Sequence, residues 1–472
     1  MQMKKLYILG LLLTCSTVLN AQFLDSLQVQ AGTSVTVAGK DYLPLWLVAN
    51  RFGVISDQQF DFSTHLKATN AHQFGKIAVD YGLDLYNNDH LRKFILQEGY
   101  ARAKYRNMTL AAGRFKQVIG EIDPELSSGS LGVSGNALPI PKISFMVDYT
   151  NVPFTNGWIQ FKGQISHGWM GNDQFMKHAY LHEKNFYLRV GKRKFKLYGG
   201  IQHYAVWGGS REDFLTADRS LAGFFNVLLV KEANDGTVFG SIAPNRAGDH
   251  RGVLEAGAEW ENDDLKINLN NQTPFDMGQG IDARNIDRLL SLNIINKKPG
   301  AKLKKVVLEF IYTKQMNDFY AQRYRESYYN NGIYRTGWEY NDNIIGTPLF
   351  VNRVRGSNYF NSIKPYDWDA PANTINSLDN IISNRVVGGH AAFLYALSRE
   401  VTSKTMLTYT RNYGDFRVGV FSPFKSQWYS MQQFSWLVPK TQLALTGTVA
   451  YDWGQLSENF GSMVGINWQL RK

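Results

Sequence analysis

The sequence predicts an all-β fold, a transmembrane antiparallel β-barrel of about 18 strands in a bacterial outer membrane. From Leu443 to Trp453 the odd-numbered positions are mostly apolar or aromatic, and the even-numbered positions are small or polar. After a polar turn the alternation resumes, with Val464, Ile466 and Trp468 on the apolar side. Side chains alternate faces along a strand, and strands of about ten residues that are apolar outside, polar inside and end in aromatics are typical of such barrels. A secreted β-sandwich or propeller is the alternative.

The amino terminus carries the signals of an exported protein. Two lysines precede an apolar run at residues 6–13, and Ala21 offers a small residue before a cut, which predicts a secretory signal peptide over residues 1–21. The run is too short to cross a bilayer as a helix. The only cysteine, Cys15, lies inside it, so we expect the exported chain to have no thiol and no disulfide. Lipidation at Cys15 is an alternative, but Thr14 is large for the residue before a lipidated cysteine.

The composition agrees with a membrane barrel. The chain is 14% Phe, Trp and Tyr, contains 42 glycines and is only 19% charged. No later stretch approaches the roughly 18 consecutive apolar residues of a membrane helix. The net charge of +11 does not indicate a nucleic-acid partner, because an exported protein does not meet genomic DNA. Basic groups near a membrane more often face phosphate-bearing headgroups, so we expect outer-membrane lipid and lipopolysaccharide as partners.

Candidate strands recur along the chain with polar breaks between them. They begin at Phe60, Lys76, Glu98, Met108, Trp158, Lys184, Lys194, Val253, Leu265, Lys305, Phe393, Met406, Trp428 and in the closing hairpin. We expect residues 22–472 to form a single barrel with an even number of strands. Three breaks, at about 117–143, 206–252 and 315–389, are too long for turns, and loops of that length tend to be functional.

Several short motifs occur in a fixed order over almost all of this chain. They are LPLWL from Leu43, QEGY from Gln97, SSGSLGVSGNALPIP from Ser127, VPFT from Val152, SHGW from Ser166, LHEK from Leu181, WGG from Trp207, YYNNG from Tyr328 and GTPL from Gly346. Together they resemble the Wzi family of outer-membrane capsule-assembly proteins, in its Bacteroidetes-like form.

The resemblance implies an 18-stranded barrel that acts as a lectin and retains capsular polysaccharide on the cell surface. Enterobacterial members of the family also carry a periplasmic helical bundle at the amino terminus. This chain departs from that pattern, because only residues 42–52 offer a turn or two of helix before the strands begin. A porin-like channel for small solutes or oligosaccharides, with the long loops constricting the lumen, is the alternative function. In either case we expect a monomer.

The third long break combines aromatic rings with hydrogen-bonding side chains. Rings can stack on the apolar faces of sugars, while amides and guanidinium groups bond sugar hydroxyls and acidic groups. We therefore expect a site for capsular or other surface polysaccharide made by this set: Tyr328, Tyr329, Tyr334, Arg335, Trp338 and Asn343. The alternative is that the tyrosines pack the loop on itself or belong to an interfacial aromatic girdle.

A second candidate contact lies where a strand ends and the second long break begins. Trp207 is followed by two glycines and then by Arg211. The ring can stack on a polysaccharide with the guanidinium beside it, or it can serve as a membrane-interface anchor that needs no ligand.

The sequence predicts no metal, no cofactor and no catalytic activity. The histidines match no zinc-ligand spacing; they are His167, His178, His182, His203 and His250. Glu121, Asp123 and Glu125 lack the glycine and the distal bidentate glutamate of a calcium loop. The chain also has no nucleophile elbow, glycine-rich phosphate loop or acid pair at a recognisable spacing.

Overall fold

The computed structural model describes residues 26–233, 246–276, 280–316, 318 and 326–470, so the predicted signal peptide lies outside the described part. Eighteen strands form one sheet. In chain order they are β1 Gln28–Ala38, β2 Phe60–Phe74, β3 Ile77–Asn88, β4 Lys93–Tyr105, β5 Met108–Arg114, β6 Lys142–Asn151, β7 Ile159–Gly171, β8 Ala179–Lys192, β9 Phe195–Trp207, β10 Asp249–Glu261, β11 Leu265–Phe275, β12 Arg288–Asn296, β13 Leu303–Tyr312, β14 Val386–Ala396, β15 Val401–Asn412, β16 Lys425–Leu437, β17 Leu443–Gly454 and β18 Asn459–Leu470.

The connections contain short helices and ladders. The helices are α1 Leu45–Val48, α2 Leu221–Leu228 and α3 Arg353–Ser357, with 3-10 turns at Ala372–Thr374 and Gly419–Phe421. Small antiparallel ladders join Ser210–Arg211 to Leu215–Thr216, Glu339–Tyr340 to Asn343–Ile344, and Val351–Asn352 to Ile381–Ser383. Within the described ranges, no helix is long and apolar enough to cross a membrane.

The sheet closes on itself. Each strand pairs antiparallel with its neighbour in the chain, and β1 pairs with β18 from Val29 opposite Leu470 to Ala38 opposite Gly461. Closure removes the exposed edges that an open sheet would present. Because the strand number is even, β1 begins and β18 ends at the same end of the barrel, which we name the terminal end.

All three long connections leave the opposite end, which we name the loop end. They span residues 115–141, 208–248 and 313–385, close to the breaks predicted from the sequence. Connections at the terminal end, such as residues 75–76 and 193–194, are short turns. In outer-membrane barrels short turns face the periplasm and long loops face outside, so the loop end is the outer end.

The predicted alternation of faces is confirmed. On β18 Val464 is 62% exposed and points out of the barrel, whereas Met463 beside it is buried. On β8 Phe186, Leu188 and Val190 form a similar outward row. These apolar side chains make the surface that lipid covers.

Three strands, β1, β6 and β12, have no counterpart among the predicted segments. In β12 the alternation is incomplete, because Leu289 is apolar although it shares the inward parity of Ser291 and Asn293. The inward Leu289 is fully buried and belongs to the core inside the barrel. An apolar neighbour in the lumen therefore removes the polar signal on which the prediction depends. In β1 the side chains are mostly small, so its alternation is weak.

The lumen is filled by segments that enter from the loop end. Nearly every residue of 126–140 and 326–352 is buried, as are Leu45, Trp46 and Leu47 of α1. We name these three segments the plug. The Trp46 indole donates to the Thr408 hydroxyl on the inner wall at 3.2 Å. The barrel is therefore a packed body rather than an open tube.

The outward, lipid-facing position of Val464 predicts that a charged side chain placed there destabilises the barrel, by an amount that depends on its depth in the bilayer. Val464→Arg, near the middle of β18, is expected to lower the free energy of unfolding by about 2–4 kcal/mol, because arginine would lie in hydrocarbon. Asn467→Arg on the same strand is the matched control, because Asn467 lines a cavity of about 350 Å³ inside the barrel. Urea unfolding in lipid vesicles measures both variants. Equal losses would contradict the assignment of faces.

Candidate functional site

Side chains of the inner wall hold the plug by its backbone. Glu309 on β13 accepts hydrogen bonds from the amide of Ser128 at 2.8 Å and from its hydroxyl at 2.5 Å. Gln272 on β11 accepts from the amide of Leu131 at 2.9 Å. All four residues are buried. Because backbone groups in the lumen have no sheet partner, such bonds are what allows an irregular segment to lie there.

The two longer plug segments are also bonded to one another. The Trp338 indole donates to the carbonyl of Gly132 at 2.7 Å, and the Tyr329 hydroxyl donates to the carbonyl of Leu131 at 2.7 Å. The amide of Ser134 donates to the carbonyl of Ile345 at 2.9 Å. Residues 326–352 thus fold onto residues 115–141 rather than standing free outside the barrel.

Four of the residues predicted to stack on sugar lie inside this plug. Tyr328 and Trp338 are 0% exposed, and Tyr329 and Tyr334 are nearly as buried. The Tyr328 hydroxyl donates to Asp287 at 2.8 Å, and the Tyr334 hydroxyl donates to the carbonyl of Gly208 at 3.1 Å. This is the position that the packing alternative requires, because none of the four rings presents a face to solvent.

The two predicted arginines fasten neighbouring loops together. Arg335 donates to the carbonyls of Ala372, at 2.7 Å, and Ile375. Arg211 donates to the carbonyls of Trp368, at 2.6 Å, and Ala370. Both guanidinium groups therefore tie the segment around residues 368–375 to other loops at the loop end. Burial lowers the pKa of Arg335, and the nearby Arg211 lowers it further.

Trp207 lies on the outside of the barrel wall, at the end of β9. It is buried because α2 covers it, with the Phe224 ring centroid 6.0 Å from the Trp207 ring. Tyr180 on β8 flanks it at 5.0 Å. The covering helix leaves no face of the Trp207 ring free for sugar or for lipid.

Asn343 is the predicted site residue that borders an accessible cleft. The cleft has a volume of about 240 Å³ and opens at the loop end between α1, α3 and the hairpin Glu339–Ile344. Exposed charged groups stand among its lining residues, namely Asp57, Lys93 and Asp342. Amides of Asn136, Asn341, Asn343 and Asn352 also line it.

The hairpin at this cleft is built by its turn residues. Asn341 and Asp342 have φ values of 48° and 64°, and they connect two paired two-residue strands. Two successive residues with positive φ make the type I′ turn that suits a tight hairpin, and Asn and Asp tolerate that region. The turn holds the Asp342 carboxylate out in solvent beside the Asn343 amide. An amide next to a carboxylate can bond two neighbouring sugar hydroxyls.

The sequence prediction included Asn343 within the aromatic loop but did not bring Asp57, Lys93 or Asn136 to it. Asp57 and Asn136 come from other connections and Lys93 begins β4, so their meeting depends on how the plug folds. The Asn-Asp pair between short apolar stretches is the one local signal of the hairpin.

The acidic triplet considered for calcium has structural partners instead. Asp123 accepts from the amides of Glu125 at 2.9 Å and Leu126 at 2.8 Å, and Glu121 accepts from Tyr149 at 3.1 Å. Among the described residues, no group of three or more potential ligands is arranged to hold a metal ion.

A buried carboxyl group inside the hairpin makes its stability depend on pH. Burial raises the pKa of Glu339 to about 7, the Asp342 carboxylate adds to the increase, and amides of Asn352 and Asn380 oppose it. Those amides donate to Glu339 at 2.7 Å and 2.9 Å. The folded hairpin therefore keeps the proton above the ordinary glutamate pKa. The stability of the hairpin is greatest at pH values below the ordinary glutamate pKa. It falls as the pH rises to about 7 and is constant at higher pH.

We predict that Glu339→Gln abolishes this decrease in hairpin stability with rising pH. In the parent protein the decrease amounts to about 3 kcal/mol in the free energy of local opening. Glutamine still accepts from both asparagines but cannot ionise. Hydrogen exchange of the Trp338 and Ile345 amides, corrected for intrinsic rates, should become independent of pH between about 5 and 8. Glu212→Gln, at an exposed loop position, is the control and should behave like the parent. An unchanged pH dependence in Glu339→Gln would contradict the prediction.

Comparison with known proteins supports the fold. The sequence matches no protein-family model and no curated protein. The structure is similar to Wzi of Escherichia coli, described as a carbohydrate-binding β-barrel involved in group 1 capsule assembly, with a TM-score of 0.56, 13% identity, and coverage of 94% of this chain and 85% of that one. It also resembles OccK5 of Pseudomonas aeruginosa, with a TM-score of 0.48, 9% identity, and coverage of 95% and 99%. The chain has a closed β-barrel fold similar to that of Wzi, an outer-membrane protein.

Proposed function

We propose that this protein is a Wzi-like lectin that retains a capsular or other surface polysaccharide at the outer face of the outer membrane. The observation that carries the proposal is the combination of a plugged lumen with a polar cleft at the loop end. A protein that holds a polymer outside the cell needs a binding surface on the outer end and has no need of a pore. The resemblance in sequence motifs and the Wzi-like fold support the same function.

The cleft offers groups suited to sugars. Asp342 and Asn343 supply a carboxylate and an amide, and Lys93 supplies an ammonium group across the opening. We assign the polysaccharide contact to this cleft, with Asn343 retained from the sequence prediction. The buried residues of that prediction, such as Trp338 and Tyr329, hold the plug that positions the hairpin. In this proposal the chain binds polysaccharide without transforming it.

The porin alternative requires a continuous aqueous path through the lumen. The described plug segments cross that path, and buried hydrogen bonds such as Ser128 to Glu309 fasten them to the wall. Passage of solutes would require these bonds to break. The lumen cavity of about 350 Å³ that Asn467 lines is bordered by Asn50 and Phe52, which follow α1 in the chain. This arrangement favours the lectin over the channel.

Deletion of the gene tests the function at the level of the cell. Capsule imaging and an assay of polysaccharide released into the medium should show loss of retention while synthesis continues. Unchanged retention in the deletion strain would contradict the proposed function.

The cleft is tested by a double variant, Asp342→Gly with Asn343→Ala. Glycine keeps the turn because it adopts positive φ freely, so the change removes the carboxylate and the amide without breaking the hairpin. Loss of charge-assisted hydrogen bonds should weaken binding of a short, single-repeat oligosaccharide from the organism's own surface polysaccharide by about tenfold or more. A short probe is needed because a polymer binds through many repeats at once.

The matched control is Asn172→Ala with Asp173→Gly. This pair has the same residue types and lies exposed on another connection at the loop end. Calorimetry should show parental affinity for the control. If the Asp342→Gly, Asn343→Ala variant assembles normally in the membrane and binds with parental affinity, the cleft is not the polysaccharide site. The proposed function itself would then be decided by the gene deletion.

A further inference from the structure

Helix α2 lies on the outer, membrane-facing side of the barrel wall. Its Phe224 ring packs against His182 and Trp207, with centroid distances of 5.7 Å and 6.0 Å. Both are outward-facing side chains, since they share the parity of exposed residues on β8 and β9. Leu221 and Phe225 of the same helix remain 73% and 49% exposed. A short helix with both packed and exposed apolar side chains fits between a barrel wall and lipid.

A polar row lies directly below the helix, at the upper border of the apolar band. Lys184 on β8 is opposite His203 on β9. The next outward row toward the terminal end is Phe186 opposite Ile201, and both of these side chains are exposed. The outward side chains thus change from polar to apolar between these two successive rows. That change marks the depth at which lipid headgroups meet acyl chains.

A cavity of about 980 Å³ opens on this part of the wall. Lys184, His203 and Arg246 line its polar side, and Phe186 and Ile201 line its apolar side. Among the atoms of the described residues, the buried Nδ1 of His203 has no hydrogen-bond partner. The cavity thus joins cationic and unpaired polar groups to a lipid-facing apolar surface.

The two cations keep donors free for a ligand. Lys184 donates to the carbonyl of Leu228 at the end of α2, and Arg246 donates to the carbonyl of Val230. An ammonium group has three N–H donors and a guanidinium group has five, so each retains donors after these contacts.

Two carboxylates also border the cavity, and one further cation offsets part of their charge. Asp249 accepts from the guanidinium group of Arg251, and Asp276 lies 3.7 Å from the same group. Arg251 is buried and does not line the cavity. Lys184 and Arg246 outnumber the one carboxylate charge that Arg251 leaves uncompensated, so the cavity keeps a net positive charge.

We propose that this cavity binds the phosphate headgroup of an acylated glycolipid of the outer leaflet, with an acyl chain along Phe186 and Ile201. Phosphate groups pair with lysine and arginine through charge-assisted hydrogen bonds. The apolar half of the cavity selects a lipid over free phosphate, which would leave that surface uncovered. The loop-end position places the site in the outer leaflet. This site is distinct from the polysaccharide cleft, which lies among the loops.

The test uses purified full-length protein and lipid A as the probe. Native mass spectrometry should show retention of diphosphoryl lipid A by the parent and little retention of the same lipid after dephosphorylation. Lys184→Gln with Arg246→Gln should retain about tenfold less diphosphoryl lipid A, because two cations at headgroup depth are lost. Lys184→Arg keeps the charge and should retain the lipid.

Arg411→Gln is the matched control, because Arg411 is an exposed cation near the loop end of β15, away from α2. It should retain lipid A as the parent does, and all variants should show normal heat-modifiable migration. Equal retention of dephosphorylated lipid A would overturn the proposal, as would parental retention in the double glutamine variant. Displacement of the lipid by inorganic phosphate alone would identify a free-anion site and overturn the lipid assignment.

Discussion

The polar inner wall of the barrel needs hydrogen-bond partners, and the inward-folded plug supplies them. Glu309 binds the amide of Ser128, His390 contacts the carbonyl of Leu126 at 2.7 Å, and Asp452 accepts from the amide of Leu45 at 2.8 Å. Each bond satisfies a buried wall group and a buried plug group at once. Because an unpaired buried polar group is costly, wall and plug depend on each other.

The position of the external surface follows from this mutual dependence. The plug fixes Trp338 and Tyr329 inside the barrel, and the hairpin that continues from them ends at the loop end with Asp342 in solvent. A polymer bound there would be held by a rigid platform rather than by free loops, which reduces the entropy lost on binding. The cleft and the plug are therefore parts of one arrangement.

Fifteen of the eighteen strands could be predicted because apolar and polar residues alternate along each of them, as from Leu443 to Trp453. The length of the loops could be predicted for the same reason. The direction in which they fold could not, because a ring-rich segment such as Tyr328 to Trp338 suits both a sugar site and a packed interior. The Lys184–His203 row also could not be predicted, since it depends on the β8–β9 register and on a helix from another connection.

Conductance in planar lipid bilayers tests the central claim, that the plug closes the lumen, most directly. The purified protein should insert without producing stable open channels. A variant in which residues 115–141 are replaced by a short turn should conduct, because the wall contacts of Ser128 and Leu131 are then absent. Large, stable openings in the parent protein would contradict the account and favour a porin.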